Sequence, residues 1–129
     1  MGEVVNFEDL IAWQRARALA RRVYEITREP RFARDFGLCG QMQRAAVSTM
    51  SNIAEGNERG STQEYHRFLC IAKASCAEVR SQLYVALDAD HIDRGTFEEL
   101  LSMAQEVGRL VGGLRRAVGR QRLAQAESR

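Results

Sequence analysis

Placed at about 100° per residue, the apolar side chains gather on one side of four successive segments. No stretch alternates with the period of two that a half-buried strand requires. The first segment runs over about residues 7–28, with Asn6 as N-cap and Glu8 and Asp9 in the first turn. Its core face is Trp13, Ala16, Ala20, Val23 and Tyr24, opposite Arg15, Arg17, Arg21, Arg22, Glu25 and Arg28. Pro30 ends it. The second segment covers about 36–58, softened at its start by Gly37, with Leu38, Met42, Ala46, Met50, Ile53 and Ala54 inward. Ser61 and Glu64, at capping-box spacing, open the third over about 62–89. Its core face is Tyr65, Phe68, Leu69, Ala72, Cys76, Val79, Leu83, Ala86 and Leu87. Thr96 and Glu99 repeat the capping spacing and open the fourth, over about 97–122. Phe97, Leu100, Ala104, Val107, Val111, Leu114 and Val118 point inward there, and the tail 123–129 is expected to fray. Four long helices with short connections predict an all-α, antiparallel up-down-up-down four-helix bundle, as a single domain over 1–129.

Composition supports this reading. A chain of 129 residues can build a core without disulfides or metals, and its single proline forces few breaks. The three cysteines, Cys39, Cys70 and Cys76, are an odd set. With no basic-then-apolar leader in the first residues, they point to free thiols in the cytoplasm. Gly2 is a poor myristoylation site, because Asn6 stands where Ser or Thr is needed. No apolar run reaches the roughly 18–20 residues of a membrane span, so no membrane partner is expected.

Three stretches carry a resemblance: NFEDLIAWQRA from Asn6, QMQRAAVSTMSNIAEG from Gln41 and EYHRFLCIAKAS from Glu64. Together they resemble the bacterial four helix bundle proteins, a family with members encoded in intervening sequences of 23S ribosomal RNA genes and also called S23 ribosomal protein. The resemblance implies a bundle that assembles into a homopentamer, with no established enzymatic activity. More distantly, the chain is similar to the accessory variability proteins of diversity-generating retroelements, which engage nucleic acid and a reverse transcriptase.

Two faces look unlike ordinary solvated helix surface. In the second segment Gln41, Arg44, Ser48, Ser51, Asn52, Glu55 and Arg59 fall within roughly a 100° arc, rich in short hydroxyls and amides. The arc reads either as a solvated polar face or as a close-packed polar seam against another helix, from this subunit or its neighbour. In the third segment Cys70, Ala74, Ala77, Ser81 and Val85 form a small-residue stripe away from the core, flanked by Ile71. With Ile11 isolated on the first helix, these features favour a homo-oligomer.

Catalytic machinery is hard to find. There is no Glu-x-x-His pair for a di-metal bundle site, no phosphate loop and no cofactor signature, so no cofactor and no small-molecule substrate are expected. Asp88–His91 and His66–Cys70 are incomplete as metal-ligand sets. Gly112–Gly113 reads as a close helix contact or a kink. The basic residues are eighteen Arg and one Lys, within a net charge of only +2. Compositional bias accounts for such a ratio, as does selection for bidentate phosphate or carboxylate contacts. Arg115, Arg116, Arg120 and Arg122 concentrate late in the fourth helix, and antiparallel packing places Arg15 and Arg17 toward the same end. The expected role is therefore a non-enzymatic, self-assembling scaffold for another protein. The alternative is a nucleic-acid-binding accessory protein that uses this Arg-rich end against a polyanion.

Overall fold

The computed structural model describes residues 5–128. Gly2 and the last residue of the tail, at 129, lie outside the described residues. The first helical segment is interrupted. Phe7–Asp9 make a 3-10 turn, and extended Leu10 separates it from α1, Ile11–Thr27. Asn6 makes no side-chain cap bond. Gln14 Nε2 instead reaches back to the Glu8 carbonyl at 2.9 Å, and Phe7 packs edge-on against Trp13 with ring centroids 5.1 Å apart. These two contacts hold the turn against α1 as a separate piece.

The core face of α1 is turned from the expected one. Ala12, Leu19 and Ile26 are buried with Ala16, Ala20 and Val23, while Trp13 is half-buried and Tyr24 is 41% exposed. Branched aliphatics take the centre of the seam, and the two aromatics with polar tips take its edges. Pro30 does more than stop α1. It occupies the first position of a one-turn helix α2, Pro30–Ala33, which drives the fully buried Phe32 into the end of the core.

Asp35 then caps α3, Phe36–Glu58, its Oδ1 accepting from the Leu38 N–H at 3.2 Å and offsetting the soft start at Gly37. Ser61 caps α4, Thr62–Asp88, through the Glu64 N–H. The Glu64 carboxylate meets Arg67 at 3.5 Å, so only half of the expected capping box forms. Asp90, at φ 60°, closes α4 in a Schellman arrangement: His91 N–H donates to the Ala86 carbonyl and Asp90 N–H to that of Leu87.

The last helix, α5, begins earlier and ends later than its pattern predicts, at Arg94–Glu127. Its cap is Asp93, whose Oδ1 accepts from the Thr96 N–H at 2.7 Å. Thr96 is thus the capped residue and not the cap. The tail expected to fray stays helical through Glu127, where Thr62 Oγ1 donates to Gln125 Oε1.

Cross-helix contacts fix the topology. Moving from Arg22 to Arg15 along α1 moves from Glu99 to Glu106 along α5, so the two run antiparallel. Ser48 faces Ser75 while Gly56 faces Phe68, which makes α3 and α4 antiparallel too. Sequential long helices pack side by side and α5 closes back on α1. Met42, Ile53, Leu69, Leu83, Leu100 and Val107 fill the middle of this all-α four-helix bundle. Gly56 sits at a close approach of α3 to α4: a Cβ there would stand 2.9 Å from Phe68 Cβ and 3.0 Å from Tyr65 Cδ1.

Candidate functional site

The polar arc of α3 divides in two. Its middle is drawn into the seam with α4: Ser48 Oγ lies 2.8 Å from Ser75 Oγ, and Asn52 Nδ2 donates to the Ser48 carbonyl at 2.8 Å. The helix packed against Ser48 is therefore α4 of the same chain. Gln41, Arg44, Ser51, Glu55 and Arg59 remain exposed, with Arg59 closing on Glu55 at 2.8 Å. Beside this seam lies a shallow groove of about 300 Å³ that includes Gln41, Arg44 and Gln82. Gln82 Oε1 is buried with no hydrogen-bond partner among the described residues.

The small-residue stripe of α4 faces outward. Ala74, Ala77, Ser81 and Val85 are exposed and Cys70 is half-buried. Helical spacing puts Ile71, 39% exposed, and Tyr84, 52% exposed, along the margins of the same face. Ile11 stands apart on α1, 53% exposed.

The six arginines read as one basic end are dispersed. Arg15 pairs with Glu106 at 3.0 Å on the α1–α5 side, and Arg17 lies over the Trp13 ring. Arg115 turns to α4 and donates to Cys70 Sγ at 3.7 Å. Arg120 and Arg122 are exposed on the last turns of α5, Arg122 beside Ser61 and Gln63 at the opening of α4.

Arg116 belongs to a different set. Its Nη1 and the Lys73 Nζ each lie 3.6 Å from the point where a Gly112 Cβ would stand, so two cations converge over one glycine. Arg80, Arg109 and Gly108 line the same α4–α5 groove, of about 530 Å³. None of these four cations is in an ion pair among the described residues. Like charges gathered without a carboxylate repel one another, and an anion placed between them removes that repulsion. Lys73 and Arg80, and likewise Arg109 and Arg116, repeat at i, i+7. That doubled spacing was the available signal. The pattern of either helix alone does not show it, because the four residues meet only once α4 and α5 are paired.

The profile of the 23S rRNA-intervening sequence protein family matches residues 8–113. The chain belongs to this family. The family match takes in α1, α3, α4 and most of α5, including Lys73, Arg80, Gly108, Arg109 and Gly112, and stops short of Arg115–Arg122. A crystal structure of a protein of unknown function from the S23 ribosomal protein family of Bacteroides thetaiotaomicron superposes with a TM-score of 0.75. It is 19% identical over 81% of this chain and 98% of its own, a likeness that speaks to the fold alone. No curated protein matches the chain.

Within this family member the remaining reactive side chains are committed to packing. Cys39 and Cys76 donate to the carbonyls of Phe32 and Ala104 at 3.2 Å, and burial pushes both thiols up from their ordinary value. His91 does not join Asp88. It stacks on Phe32 and places Nε2 2.9 Å from Asp35 Oδ2. His66 Nδ1 and Cys70 Sγ stand 3.9 Å apart, and Arg115 takes the neighbouring position. Among the described residues no three His, Cys, Asp or Glu side chains are grouped to hold a metal, and no helix is long and apolar enough to cross a membrane.

Proposed function

We propose that this chain is a non-enzymatic, self-assembling bundle of the cytoplasm, a homopentamer that acts as a binding scaffold for another protein. The observation that carries this reading is the outer face of α4, where Ile71, Tyr84 and Val85 are 39%, 52% and 51% exposed around Ala74, Ala77 and Ser81. Small side chains let a neighbouring backbone approach, and the larger apolar ones supply area to bury. Light scattering at micromolar concentration tests it. The wild type is expected above monomer mass, and Ala77→Arg, which sets a charge on that face, is expected to be monomeric with unchanged helicity. A monomeric wild type sinks the reading.

A second reading, nucleic-acid binding, is favoured by a separate observation. Lys73, Arg80, Arg109 and Arg116 line one groove with no carboxylate paired to them among the described residues. Binding of a labelled single-stranded RNA by the wild type at 50 mM salt tests it, and no binding there sinks it.

A further inference from the structure

We propose that the α4–α5 groove holds the sugar–phosphate backbone of a nucleic acid without reading its bases; the proposal rests on the nucleic-acid reading above and gives it a place. The cations stand at two levels. Lys73 and Arg116 converge over Gly112, and Arg80 and Arg109 line the groove further along. One step of seven residues on each helix separates the levels by roughly 10 Å at 1.5 Å per residue. A lone phosphate occupies one level only, whereas a repeating backbone supplies an anion to each.

The floor also fits such a ligand. Gly108 and Gly112 lie on successive turns of α5, and a Cβ on Gly108 would meet nothing within 4 Å. Glycine inside a helix is locally unfavourable, and here it leaves the space between the cations open. No aromatic side chain lines the groove, so base stacking has no platform and recognition stays with the phosphates.

Fluorescence anisotropy on the full chain with a labelled, mixed-sequence single-stranded RNA tests this across a salt series. Four phosphate contacts predict a log–log slope of about −3, hence roughly fiftyfold weaker binding at 200 mM than at 50 mM salt. Lys73→Ala/Arg109→Ala is expected to halve that slope approximately. Gly108→Leu keeps every charge but fills the groove, and is expected to weaken binding by about tenfold or more. Arg120→Ala/Arg122→Ala is expected to keep the wild-type slope, and a homopolymer is expected to bind like the mixed sequence. Circular dichroism checks folding, and the Lys73/Arg109 pair decides the matter if Gly108→Leu misfolds. Wild-type affinity in both groove variants overturns the site while leaving the broader reading in place. No binding by the wild type at 50 mM salt overturns both. Displacement of the RNA by millimolar inorganic phosphate at constant ionic strength, or a strong preference among bases, overturns the backbone mode.

Discussion

Replacing Gly56 by Ala sets two effects against each other. Alanine gains about 1 kcal/mol of helix propensity over glycine. The new methyl, however, meets Phe68 Cβ at 2.9 Å and Tyr65 Cδ1 at 3.0 Å, atoms close to the α4 backbone with little room to retreat. Overpacking of this kind costs about 1–3 kcal/mol, so Gly56→Ala is expected to lose about 1 kcal/mol net in urea denaturation. A stabilised variant would show that α3 and α4 separate freely. The family resemblance rests partly on the stretch SNIAEG, and its residues now have physical parts. Asn52 bonds Ser48, Ile53 enters the core, Glu55 pairs with Arg59 and Gly56 sets the helix spacing. The sequence showed the pattern but not its cause, because the close approach involves Tyr65 and Phe68 of the next helix.

Asp35 is the second residue whose role appears only in three dimensions. The hydrogen bond with His91, and then the Leu38 N–H, hold its carboxyl below the ordinary 3.8. Asp93 is lowered by the Thr96 N–H, and Glu99 by its bond with Arg22. A carboxyl lowered on folding contributes stability that is fully present above its ordinary value and is lost as pH falls through the folded one. Thermal stability is therefore expected to fall between about pH 5 and pH 2. Asp35→Asn, which can still cap α3 but cannot titrate, is expected to fall less over that range. Parallel curves for the two proteins would contradict the assignment.

At the level of elements, α3 and α4 were legible because each joins a strong helical period to a clear stop. The start of α5 was misplaced because Thr96 and Glu99 stand at capping-box spacing, whereas the cap is Asp93, three residues earlier, which holds the Thr96 N–H. Phe32 escaped notice because α2 is too short to show a period, yet it is fully buried. The last turns of α5 carry good helix formers but bury nothing after Val118. Ending the chain after Arg122 is accordingly expected to change stability by less than about 0.5 kcal/mol, as for surface changes remote from the core. A larger loss by thermal melting would mean that these turns pack against something the isolated chain does not contain.

For the whole molecule, two features share the exposed side of α4: a small, partly apolar face and, toward α5, a groove lined by four cations. The first was legible from spacing within a single helix. The second required the pairing of α4 with α5, while contacts of α1 with α5 and within α1 withdrew Arg15 and Arg17 from the basic end. An assembly built through α4 would repeat the groove around its axis and multiply a weak single-site attraction. The scaffold reading depends on self-assembly, which multi-angle light scattering at micromolar concentration measures most directly. The wild type is expected at about 73 kDa, five times the 14.6 kDa chain, and Ala77→Arg at monomer mass; a wild type of 14.6 kDa under the same conditions would rule self-assembly out.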